Sequence, residues 1–167
     1  PIVLAASSVA IAAGSLNLSQ IIVNWQWWWL FWQAPALVCF VIAGVAELQR
    51  PPFDMPLADS EIVMGPFTEY SGLRFAFFLL SEYAGIVVMS LLFAVLFLGG
   101  WRGPFSDVLG PLWSILKGLV IAILIIWMRV SWPRLREDQL QRLAWLVLVP
   151  LALAQLALTA GWVVLTS

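Results

Sequence analysis

Nine side chains in this sequence are carboxylic acids, and five of them, Glu47, Asp54, Asp59, Glu61 and Glu69, fall within residues 47–69. Acids crowded into a half-buried segment have two reasons to hold protons near neutral pH. Burial disfavours the ionised form, and each charge raises the proton affinity of its neighbours. Such a cluster is suited to taking up and passing on protons. The run that carries it, AELQRPPFDMPLADSEIVMGPFTEY, also contains Phe53, Met55, Leu57, Ile62, Val63, Met64 and Phe67, too apolar a set to float in water. Arg50 and Arg74 are the cations closest in sequence, and a solvated loop whose acids pair with them is the competing reading. Two further ionisable groups, Glu82 and Lys117, stand inside apolar runs. There a charge costs about 3 kcal/mol on insertion scales and tends to face a polar partner. Contact between the two is one resolution; snorkelling of Lys117 to the nearer membrane face is the other.

Other chemistries lack their ligands. The sequence has no histidine and one cysteine, Cys39, set in an apolar run. Haem held by an axial histidine, a cysteine-ligated iron–sulfur cluster and a Ser/His/Asp triad are therefore not expected on this chain. Cys39 reads as a small core residue.

The elements that must position the acids are set by composition: 63% of residues are hydrophobic, 10% are charged, and the mean hydropathy is +0.99. The solvent for such a chain is lipid. A spanning helix needs about 20 mainly apolar residues to cross a hydrocarbon layer about 30 Å thick. Four stretches qualify, 27–46, 75–98, 111–128 and 143–165, while 1–14 reads as the end of a truncated spanning helix. The expected fold is all-α, a polytopic transmembrane bundle of four full spans plus the end of a fifth, with a folded acidic cytoplasmic loop. A β-barrel is excluded because these runs are continuously apolar and do not alternate with period two.

Pro51 and Pro52 are expected to end the first full span, Asp54 to cap a short helix closed by Gly65 and Pro66, and Ser71 to cap the next span. Basic residues favour the cytoplasmic side. Segment 47–74 carries Arg50 and Arg74, and segment 129–142 carries Arg129, Arg134, Arg136 and Arg142; the connections 15–26 and 99–110 carry only Arg102. This places 47–74 and 129–142 inside. Trp25, Trp27, Trp28, Trp29 and Trp32 then form an aromatic belt at the outer interface.

The runs AELQRPPFD, ADSEIV, TEYSGLRFAFFLLSEYA and LFLGGW, followed by the basic WMRVSWPRLREDQL, keep an order and spacing that resemble one family: a membrane component of proton-pumping NADH:quinone oxidoreductase, respiratory complex I, known as the H subunit in bacteria and as subunit 1 in mitochondria. That family has eight spanning helices, so the resemblance implies that this chain supplies about the last four and the end of the one before. It implies a loop that lines the inner part of a quinone cavity, with quinone as substrate. No metal, haem, flavin or iron–sulfur cluster would be bound here; electrons would arrive from the neighbouring iron–sulfur subunit. By motif position, Glu47, Asp54, Asp59, Glu61, Glu69 and Glu82 would form a proton relay, with Arg50, Arg74 and Lys117 as counter-charges. Phe53, Phe67, Tyr70 and Arg74 would touch the quinone head or the hydrophilic subunits. The implied partners are the other membrane and hydrophilic-arm subunits, quinone and the bilayer, with no nucleic acid. A bacterial plasma membrane, or a mitochondrial inner membrane, would be its location.

The sequence departs from the family in two places. Leu57 and Asp59 stand where members often have acid-Ala-Glu, and Phe67 stands where many have histidine. The alternatives are the membrane anchor of an energy-converting hydrogenase or formate hydrogenlyase, which shares the acidic loop, a secondary ion transporter using Glu82 and Lys117, and a structural scaffold.

Overall fold

The computed structural model describes residues 1–48, 52–53, 70–133 and 135–166. Every regular element among them is helical: α1 (Ile2–Ala13), α2 (Leu18–Asn24), α3 (Trp29–Trp32), α4 (Ala34–Glu47), α5 (Leu73–Phe97), α6 (Ser106–Ser131), α7 (Glu137–Leu143), a π turn (Ala144–Leu148) and α8 (Val149–Thr166). Three helical stretches, Leu73–Phe97, Val108–Met128 and Asp138–Leu165, are long and apolar enough to cross a membrane. They become four if α1 and α2, bent by 59° at a short break, are one span.

The break is written in local chemistry. Gly14 ends α1 in the left-handed region at φ 68°, returning its N–H to the carbonyls of the last turn. Asn17 then caps α2, its side-chain oxygen accepting from the Ser19 N–H at 3.0 Å. The stretch 15–26, expected as loop, thus contains a helix.

The stretch 27–46, expected as one continuous helix, is two pieces that meet at Gln33. Pro35 explains the restart: it has no N–H to continue a ladder from α3, yet fits the first turn of α4. At 14 residues, α4 is about 21 Å long, short of the full hydrocarbon thickness. The break is held by buried polar groups. The Ser8 hydroxyl is 3.1 Å from Gln33 Oε1, and the Gln155 amide donates to the Trp32 carbonyl at 2.9 Å. In lipid such bonds join helices, here α1, the α3–α4 break and α8.

α5 begins after Gly72 at φ 63°, without the side-chain cap expected from Ser71. It ends at two glycines with positive φ, Gly99 at 67° and Gly100 at 46°. The chain turns there and α6 packs back along α5, where Gly118 lets Leu91 approach closely. α8 lies against α1 and α4. The shared core holds Ala5, Val9, Cys39, Phe40, Phe93, Phe97, Leu148 and Ala152. Cys39 is buried as expected, with its thiol 3.6 Å from the Leu148 carbonyl. Outward faces of α5, α6, the π turn and α8 expose Leu80, Val88, Ile115, Leu119, Ile123, Leu146 and Leu158. Helices apolar on every side belong in a membrane.

Gly99 combines a positive φ with a wall: a Cβ there would sit 2.7 Å from the Trp25 ring. Gly99→Ala is expected to destabilise the protein by about 1–2 kcal/mol from backbone conformation alone, with the clash adding to it. Denaturant unfolding in detergent micelles measures this.

Candidate functional site

Glu47 and Glu82 are positioned by the way α5 crosses α4. Three contacts set an antiparallel register. The Phe40 and Phe93 rings are 6.0 Å apart, a Cβ on Gly44 would meet Met89 at 2.7 Å, and a Cβ on Gly85 would meet Leu48 at 3.0 Å. Residues 85, 89 and 93 therefore share the α4-facing stripe of α5, as i, i+4 spacing requires. Glu82, one turn earlier at i−3 from Gly85, continues that stripe to the level where the chain leaves α4 for the acidic segment. It is partly buried, whereas Glu47, at the end of α4, is exposed.

The same end gathers the second connection. The Leu135 N–H donates to the Pro52 carbonyl at 2.9 Å, and Phe53 is buried at 4% exposure. The two connections expected on one face of the membrane thus touch. Tyr70 is exposed and packs against Phe78 with ring centroids 4.9 Å apart, and Arg74 is exposed in the first turn of α5. Arg50, Asp54, Asp59, Glu61, Phe67 and Glu69 lie outside the described residues, as does the short helix expected between Asp54 and Gly65.

An apolar cavity of 390 Å³ lies between α4, α5 and α6, walled by Phe40, Val41, Met89, Phe93, Ile125 and Trp132 among others. Its walls suit hydrocarbon.

Lys117, expected as a counter-charge to the acids, is engaged at the opposite end. Its ammonium donates to the carbonyls of Leu98 at 2.6 Å, Gly100 at 3.0 Å and Arg102 at 2.7 Å. These three bonds use all the donors an ammonium has. Leu98 lies sixteen residues beyond Glu82, about 24 Å along the helix, so Lys117 and Glu82 do not pair. The side chain reaches toward the 99–110 connection, the direction expected of snorkelling, and its charge ends on protein carbonyls there. Arg102 acts alike, its guanidinium donating to the carbonyls of Val23, at 3.2 Å, and Trp25. Trp25, expected in the outer belt, is instead buried, with its indole N–H on the Phe97 carbonyl at 3.1 Å. Sequence reasoning missed this cluster, though the pairing of Gly99 and Gly100 with two cations near by was its trace. Among the described residues, no group of three or more His, Cys, Asp or Glu side chains is placed to hold a metal ion.

Lys117→Met leaves three carbonyls to find other partners and is expected to cost about 2–3 kcal/mol of stability. Thermal unfolding in micelles should show the loss, and Lys117→Arg should recover most of it.

A family model described as NADH dehydrogenase matches residues 1–160. Among curated proteins, the chain is 48% identical to the H subunit of the NADH-quinone oxidoreductase of Bacillus mycoides (strain KBAB4) over 163 residues, which covers 96% of this chain and 49% of that protein. The proteins of the same name from Bacillus thuringiensis subsp. konkukian (strain 97-27) and Bacillus cytotoxicus are each 47% identical, with the same coverage. The chain spans about half the length of the curated relatives it matches.

Proposed function

The chain belongs to the NADH dehydrogenase family, and from that premise we propose that it works as a membrane subunit of a proton-translocating NADH:quinone oxidoreductase. In this reading the four stretches 27–46, 75–98, 111–128 and 143–165 each cross the membrane, the first as the broken pair α3 and α4. Segments 47–74 and 129–142 face the cytoplasm of a bacterium. Phe53, Phe67, Tyr70 and Arg74 border the quinone head or the hydrophilic subunit that carries the nearest iron–sulfur cluster.

Quinone reduction takes two electrons and two protons. The electrons come from the partner subunit, because the acids and apolar side chains of this chain carry none. As negative charge develops on the quinone, neighbouring carboxylic acids change their hold on protons through Coulomb coupling at low effective dielectric. Glu47, Asp54, Asp59, Glu61, Glu69 and Glu82 then pass protons away from the cavity, with Arg50 and Arg74 limiting their mutual repulsion. Lys117 is left out of this relay, since its ammonium is committed to carbonyls at the far end of α5.

The observation that carries the proposal is the α4–α5 register, which aligns Glu82 with the departure of the acidic segment from α4. An acid inside a spanning helix marks a proton route by default, and Glu82 stands at the level where the chain leaves α4.

Glu82→Gln and Glu69→Gln keep side-chain size and remove the titrating group. Each is expected to lower quinone-linked NADH oxidation and proton pumping by about tenfold or more while the complex still assembles. Membrane vesicles with an uncoupler-sensitive dye measure both quantities, and full activity in both variants would eliminate the relay.

A further inference from the structure

At the end of the bundle away from Glu47, a cavity of 210 Å³ is lined by Gln26, Trp28, Trp29, Trp32, Thr159 and Trp162, with Ala12 and Val163 completing it. The indoles reach it from two parts of the chain, the 26–32 segment and the last turns of α8. Trp32 and Trp162 lie with ring centroids 5.7 Å apart and planes at 48°. Among the described residues, no acidic or basic side chain contributes to the lining.

Two of the polar groups in the wall are bonded within the protein. Trp28 Nε1 donates to Gln26 Oε1, and the Thr159 hydroxyl faces the carbonyls of Gln155 at 3.0 Å and Leu156 at 2.9 Å. A phosphate finds no cation among the described lining residues. What the cavity offers is aromatic surface, whose faces carry partial negative charge and attract an alkylammonium group without a counter-carboxylate. Tryptophans at the end of an apolar bundle also mark the depth at which lipid headgroups lie.

We propose that this tryptophan-lined cavity binds the ammonium headgroup of a phospholipid, of the phosphatidylethanolamine or phosphatidylcholine class, in the leaflet at that end of the bundle. The site is independent of the quinone reading and rests on the membrane setting alone. Its occupant is held by ring faces, so loss of one ring weakens capture by about threefold to tenfold.

The test uses the intact membrane complex in nanodiscs. Phospholipids with identical acyl chains and a photoreactive group beside the headgroup are compared, one set with ethanolamine or choline and one with glycerol. Adducts are mapped by peptide mass spectrometry. Ethanolamine or choline lipid is expected to label residues 26–32 and 159–163 about threefold to tenfold more than glycerol lipid, with tetramethylammonium chloride suppressing the difference. Trp162→Leu should lose the preference and Trp162→Phe should keep part of it. If Trp162→Leu fails to assemble, tetramethylammonium competition on the unaltered protein decides. Equal labelling by glycerol lipid would overturn the proposal, and so would insensitivity to tetramethylammonium. Absence of lipid adducts would overturn it as well, whether a protein segment or a soluble cation fills the cavity.

Discussion

A backbone carbonyl without a partner costs several kcal/mol in hydrocarbon, because no water is at hand to replace the missing bond. The breaks in helical structure described above are organised around that cost. At the far end of α5 the carbonyls of Phe97, Leu98, Gly100 and Arg102 take bonds from Trp25 and Lys117, and those of Val23 and Trp25 take bonds from Arg102. At the α3–α4 break the Trp32 carbonyl is met by Gln155, whose neighbour Gln33 is in turn met by Ser8. Two cations, an indole and a few amides therefore tie α2, α5 and α6 together at one place and α1, α4 and α8 at the other.

The placement of Glu82 follows from this scaffold. With the far end of α5 held, its near end is set by the contacts of Gly85 with Leu48 and Gly44 with Met89, and Glu82 can only lie one turn below them. Small residues at 44 and 85 bring the two backbones close, as small residues do at helix interfaces in membranes. The chemistry proposed for the acidic segment thus depends on glycines and aromatic rings that take no part in it.

Much of this is legible in the residues alone. Length and hydropathy identify the three long apolar helices, and lone Cys39 reads correctly as core. The runs around Glu47 and Glu69 identify the family without any coordinates. Other features escape a reading of single runs. The division of 27–46 follows from Pro35 acting together with buried partners on α1 and α8, which are distant in sequence. The role of Lys117 escapes because its partners are backbone carbonyls, which have no sequence signature. Trp25 escapes because a tryptophan in a belt and one folded inward look alike until the acceptor for the indole N–H is in place.

The π turn at Ala144–Leu148 sits between α7, which carries Arg142, and α8, whose inward side holds Ala152, Gln155 and Thr159. One surplus residue in a helix turns everything on one side of it by about 100° relative to the other. That surplus acts as a phase adjuster. It offsets the face on which Arg142 stands from the stripe that carries Gln155 to the Trp32 carbonyl, within one continuous helical run.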